Sequence, residues 1–219
     1  MTAFVRLTAD EFFGDHPCTD PALYGSDEQL LAYMLQDVRS LIRRHRSGEI
    51  DLGAHEVLTW SVHGLARRQV VCDPSALAEQ RDVCIVGFFG ERRGDLDTQQ
   101  HIDRLDAALL GEFSAVPGVL SYTSVELVDD NWANLIVHTA AEDRELWRNR
   151  SVHREAAEDI SPRHYRSVRI HHGMLSGGVC SSNRIQLLRT KYWDYGDVVA
   201  QRPWMAEREL AAPTPPVPA

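Results

Sequence analysis

The residues best able to do chemistry lie between Asn131 and Gly173, in NWANLIVHTAAEDRELWRNRSVHREAAEDISPRHYRSVRIHHG. His138, His153, His164, His171 and His172 all fall in this stretch. A neutral imidazole facing a pocket can ligate haem iron or take a proton near neutral pH. His153 is the first candidate. At about 100° per residue of helix, Leu146, His153, Ala157 and Ile160 fall within one narrow arc, which turns His153 inward with the apolar residues. The alternative role for such a ring is a buried hydrogen bond to a backbone carbonyl.

His164, His171 and His172 are read on a second helical piece, with Ser161 as N-cap, Pro162 at its first position and Gly173 just past its end. His164 and His171 then share a face, with Val168 between them. His171 and His172 occupy the last turn, where the exposed carbonyls favour a cation. Zinc-type spacing is absent, so a structural metal is not expected.

On the preceding strand pattern, Asn134, Ile136 and His138 alternate onto one face, and Tyr122, Ser124 and Glu126 do the same on its neighbour. Asn134, His138 and Tyr122 are therefore candidates to line a pocket wall, with Glu126 solvated near the turn. Arg189 and Lys191 share a face with Trp193, where Arg189 could hold a carboxylate. GFFGERRG lacks the dinucleotide fingerprint, and no phosphate loop, nucleophile elbow or HExxH occurs.

The elements that must position these residues follow from periodicity. Ser26 and Asp27 open a helix with Leu30, Leu31, Met34, Val38, Leu41 and Ile42 at helical spacing, and Gly48 ends it. HEVLTWSVHG and ARRQVVC read as two strands. DVCIVGFFG is apolar on both faces, hence a strand buried on both sides. TQQHIDRLDAALLGEFSAV is an amphipathic helix with Ile102, Leu105, Leu109 and Phe113 on one stripe, broken by Pro117 and Gly118. VLSYTSVELV and WANLIVH form a hairpin around Asp129–Asn131. A helical segment over 140–172 follows, and RIQLLRTKYWDY supplies the last strand. The order is β-α-β-β-α-β, an α+β, ferredoxin-like unit. Three parts are expected: an N-terminal helix-plus-strands extension over 1–80, the ferredoxin-like domain over 81–196, and a Pro-rich tail over 197–219, disordered at its end. The sheet face without helices needs a cover, a second sheet from a partner chain or from the N-terminal segment, and burial by a partner is the preferred solution.

At 219 residues the chain can bury a core without staples. A net charge of −9, with no basic stripe, argues against nucleic acid. No apolar run reaches a membrane span of about 20 residues. MTAFVRLTADEFF lacks the pattern of a secretory signal, so a cytoplasmic location is expected. Cys18, Cys72, Cys84 and Cys180 are scattered and read as reduced structural thiols.

VHTAAEDRELWRNRSVHREAA resembles the strand-to-helix junction of the dimeric α+β barrel superfamily, which includes antibiotic-biosynthesis monooxygenases and haem-degrading monooxygenases. His138, Trp147 and Ser151-Val152-His153 stand at the matching places, and the resemblance spans about 82–195. It implies a ferredoxin-like unit closing a barrel with a second copy, as a homodimer. It also implies an enzyme that tailors a hydrophobic or aromatic metabolite, by oxidation or by haem-dependent chemistry. With haem, His153 would be the proximal iron ligand, His164 or His171 its substitutes, and Arg189 a partner for a propionate. Asn134, His138 and Tyr122 would tune the distal side. Without haem, oxygen would react with a substrate anion made by His153 or His138. The same pocket and base suit a cyclase or dehydratase, and a non-catalytic ligand-binding or stress protein is the reading from another class. The chain departs from the haem degraders in lacking an Asn in IVGFFG and in its long second helical segment.

Overall fold

The computed structural model describes residues 4–94, 107–196 and 203–210. Ile102 and Leu105 lie outside the described residues, as does the side chain of Trp147. Nine strands form one sheet: β1 (Val5–Leu7), β2 (Glu56–Val62), β3 (Leu65–Val71), β4 (Asp82–Arg92), β5 (Val119–Glu126), β6 (Trp132–His138), β7 (Tyr165–Ser176), β8 (Gln186–Asp194) and β9 (Trp204–Glu209). Their order is β1-β9-β8-β7-β4-β6-β5-β3-β2. The neighbours run antiparallel except β1 and β9, which are parallel.

The long helix α1 (Ala22–Arg46) lies across one face of this sheet. Its stripe of Leu31, Met34, Leu35, Val38 and Ile42 packs on Val83, Ile85, Phe89, Leu135, Val137 and Leu175. Each such side chain removed from water contributes roughly 1.5–3 kcal/mol. The contact is close. A Cβ on Gly87, at the centre of β4, would stand 2.8 Å from a Leu31 methyl, so any larger residue there would push the Leu31 side chain aside. The face expected to need a partner's sheet is thus covered by the chain's own helix.

On the other face sit α3, described over 107–112 and followed by a 3₁₀ turn at Phe113–Ala115, and a helical segment between β6 and β7. That segment consists of α4 (Ala141–Arg148), α5 (Ser151–Glu155), a π turn at Ala156–Ile160 and α6 (Ser161–His164), while the short α2 (Pro74–Glu79) joins β3 to β4.

The sequence reading needs two corrections here. The helical segment does not run to 172: it ends at His164, and Tyr165–Ser176 is a strand. Val168 and Ile170 are β-branched, and the run alternates in burial, so it lies along the whole of β4, pairing Asp82 with Ser176 at one end and Arg92 with Tyr165 at the other. β7 is therefore the fourth strand of the β-α-β-β-α-β order, and β8 is one place further out. Second, the C-terminal segment contributes β9, held to β8 over Trp204–Glu209, where a tail was expected.

Candidate functional site

Strand register lines up the candidate residues on the face away from α1. Directly opposed residues form a row across five strands: Tyr122, Ile136, Val86, His172 and Arg189. A second row runs beside it: Ser124, Asn134, Phe88, Ile170 and Lys191. At about 4.8 Å between strands, each row spans roughly 19 Å. Both carry apolar side chains in the middle and polar ones at the ends.

The two faces differ sharply in cover. Under α1, Val83, Ile85, Leu135 and Val137 are 0–1% exposed. On the other face, Val86, Phe88, Asn134, Ile136, Ile170 and His172 are all only half-buried. Phe113 and Val116 close the β5 margin against Tyr122 and Ile136, and the Tyr165 ring packs edge-on against Phe88, centroids 5.5 Å apart.

Within this face the polar groups are held in place. The Ser124 hydroxyl donates to Asn134 Oδ1 at 2.5 Å. The Arg68 guanidinium lies 5.8 Å from the centre of the Tyr122 ring. His138 is buried at the end of β6, opposite Cys84. Arg189 Nε is buried and makes no hydrogen bond among the described residues, which suits it to an acceptor brought by a ligand. Asn134, His138, Tyr122 and Arg189 are thus brought to one face, as the alternation predicts. Phe88, Ile170 and His172 join them; reading β7 as helix hid the face that the last two share with the rest.

His153 sits on α5, half-buried. Burial first, and the nearby Arg148 cation second, push its imidazole down to about 4. It is therefore neutral at neutral pH. The expected inward arc does not form, because the helix breaks at Arg150, whose ψ of 144° is extended. Leu146 is 52% exposed and Ala157 is exposed, while Ile160 is buried. His164 ends α6 and meets the Tyr165 ring edge-on. The residues 161–164 are not an independently capped helix: Ile160 precedes the first turn, and Ser161 Oγ donates back to the Ala156 carbonyl.

His171 is on the wrong face for this site. It lies under α1, with Nε2 2.9 Å from Asp27 Oδ2 and Nδ1 2.8 Å from Thr190 Oγ1. Asp27 also accepts two bonds from Arg169, at 2.8 and 3.0 Å. A neutral ring satisfies every group: Nε2–H donates to the carboxylate, and the Thr190 hydroxyl donates to Nδ1. Burial raises Asp27, but the bonds from His171 and Arg169 outweigh it and hold the carboxyl below its ordinary value. This cluster buries a pair of charges and ties α1 to β7. Asp27 was read as opening the helix, whereas α1 starts at Ala22. Its spacing of 27, 31, 34 and 38 along the apolar stripe was the signal that it points inward.

His153, His164 and His171 are therefore not brought together, and among the described residues no group of three metal-ligating side chains occurs. An open groove of about 480 Å³ lies elsewhere, between Tyr24 and Glu28 of α1 and Ile185 to Leu187 of β8 and the loop before it. The four cysteines are unpaired to one another, and burial pushes the Cys18 and Cys72 thiols up to about 12, leaving them unreactive. Among the described residues no helix is long and apolar enough to cross a membrane.

No family model and no curated protein matches the chain. Among solved structures, a Shewanella oneidensis protein matches at 13% identity over 45% of this chain and 96% of its own, with a TM-score of 0.35. A candidate monooxygenase from Lactobacillus acidophilus matches at 11% identity, over 50% of this chain and 51% of its own, at 0.36. A monooxygenase-like protein from Listeria innocua matches at 8% identity, over 63% and 87%, at 0.32. Likenesses this loose concern the arrangement of strands and helices and define neither family nor reaction.

Proposed function

We propose that the half-covered sheet face is a pocket for a flat, hydrophobic small molecule, and that the chain acts on it as an enzyme of monooxygenase type. One observation carries this reading: two rows of side chains, half-buried except for the buried Ser124, apolar in the middle and polar at the ends, on a sheet whose other face is sealed. A buried strip of apolar and aromatic surface with a few placed polar groups is what such ligands require.

His153 is the group assigned to the chemistry. A neutral, half-buried imidazole can abstract a proton from a substrate hydroxyl, giving an electron-rich anion able to react with oxygen. Asn134, fixed by Ser124, and Tyr122 would orient that anion; His138 would serve as the second base. Haem fits this face by type of residue. Val86, Phe88, Ile136 and Ile170 offer apolar surface, Arg189 an unsatisfied donor for a propionate, and His153 a neutral nitrogen for iron. Bound there, haem would supply oxygen chemistry that no side chain can.

The dimeric α+β barrel remains part of the proposal only as a unit of β4 to β7, because α1 occupies the face that a partner sheet would use. Any homodimer would then form elsewhere. A colourless ligand-binding protein is the second reading, favoured by the helix break at Arg150, which keeps His153 from sharing one inward arc with Leu146, Ala157 and Ile160.

The experiment is a titration of the purified protein with haemin, followed by visible absorption. The expected result is a saturable, one-to-one shift of the Soret band that is lost in His153→Ala. A spectrum that stays that of free haemin removes haem; oxygen uptake with electron-rich phenols, lost in the same variant, then keeps the cofactor-free form. Neither response removes the enzyme.

A further inference from the structure

A second constellation lies on the α1 side of the sheet, at its far end, and is independent of the pocket proposed above. His16, in the segment leading to α1, places Nδ1 2.8 Å from Asp194 Oδ2 at the end of β8. Asp194 is held on its other oxygen as well, since Oδ1 accepts the Gly196 amide at 2.7 Å. The His16 ring stacks on Trp204 of β9, with centroids 3.8 Å apart and planes 14° from parallel. Phe13 packs against the same indole at 5.8 Å, tilted by 53°.

These contacts determine where the proton of the neutral ring sits. A carboxylate only accepts, so Nδ1 carries the hydrogen and Nε2 carries the lone pair. Nε2 makes no hydrogen bond among the described residues and is not a buried atom, and the His16 side chain is 23% exposed. The indole fixes the plane of the ring, and Asp194 fixes its rotation. A base oriented in this way by a carboxylate behind it is the arrangement that proton-abstracting histidines use.

Anchoring the N-terminal segment does not require this dyad's open nitrogen. Arg208 already ties that segment down: buried, it donates to the carbonyls of Thr8, Glu11 and Thr19 and to the Tyr192 hydroxyl. The surroundings also select a ligand. Phe13, 36% exposed, packs on the same indole beside the dyad, and Asp194 gives the spot a negative charge. An anion is disfavoured there, whereas a neutral hydroxyl on a flat apolar body can rest on the aromatic rings and donate to Nε2.

We infer that His16, Asp194 and Trp204 form a second binding centre, taking phenol-type ligands whose hydroxyl donates a hydrogen bond, or its proton, to His16 Nε2. When the proton moves, the O–H bond breaks, Nε2–H forms, and the phenolate faces an imidazolium held by Asp194.

The test uses the full-length chain labelled with ¹⁵N and titrated with 4-methylphenol, observed at the His16 ring nitrogens. Before addition, Nδ1 is expected to be the protonated nitrogen. On addition, Nε2 shifts saturably and by more than Nδ1. A proton found on Nε2 in the free protein, or no saturable shift up to the solubility of the probe, overturns the inference. His16→Gln keeps an amide donor for Asp194, so it preserves the anchoring, and it should weaken probe binding at least tenfold. Unchanged binding in that variant overturns the inference as well.

Discussion

The imidazole of His153 is the residue on which the proposed chemistry turns, and its environment makes a signed prediction. Its folded value of about 4 lies below the ordinary 6.5, so between those values the unfolded chain binds more protons than the folded one. The stability it contributes is complete above pH 6.5 and is lost as pH falls toward 4. With its partial exposure discounted, the loss is about 1–2 kcal/mol. Urea midpoints at pH 7.5 and pH 4.5 should differ less in His153→Leu than in the parent protein. Asp27 makes a second prediction at this scale. Asp27→Asn leaves Arg169 buried without its carboxylate and should cost about 3–5 kcal/mol in urea denaturation, whereas replacing Asp27, Arg169 and His171 together by apolar residues should recover most of it. Asn134, His138 and Tyr122 were legible in the sequence, because strand alternation alone assigns a face. Asp27 and His171 were not: each needs the other to be recognised, and 144 residues separate them.

At the scale of elements, the hairpin of β5 and β6 and the strands β2 and β3 follow from alternation and turn residues, and β4 from its unbroken apolar run. β7 was hidden because Ser161-Pro162 do begin a helical turn just before it, and Gly173 within it imitates a helix stop. In the fold Gly173 has a different task. A Cβ there would come 2.5 Å from the Gln186 carbonyl oxygen of the adjoining strand, where β7 and β8 shift register. Gly173→Ala should therefore lower stability by roughly 2–3 kcal/mol, seen as a lower thermal midpoint. Gly25 is the control. It lies in α1 with nothing within 4 Å of an added Cβ, so Gly25→Ala should raise stability by about 0.5–1 kcal/mol. Opposite signs at the two positions would separate close packing of strands from plain backbone entropy.

For the molecule as a whole, the first and last strands, β1 and β9, are paired at one edge of the sheet. Arg208 bonds to three carbonyls of the N-terminal segment. Arg208→Met should cost about 3–5 kcal/mol by removing a buried charge whose acceptors are then left unsatisfied. Limited proteolysis should then cut within residues 4–20 before the rest of the chain; cleavage as slow as in the parent would refute this role. The same arrangement explains why α1 can replace a partner subunit as the cover of the sheet. It is tied by Asp27 to β7, and the segment before it is tied by Arg208 to β9. One face is sealed in this way, and the other stays half-covered.

The most direct measurement is a crystal structure of the protein grown with haemin. The account predicts the porphyrin on the face away from α1, against Val86 and Ile136, with a propionate at Arg189 and His153 beside the iron. A porphyrin bound in the groove at Tyr24 and Glu28, or closed packing of the helical segment on Val86, Phe88 and Ile136 with no room for a guest, would contradict it.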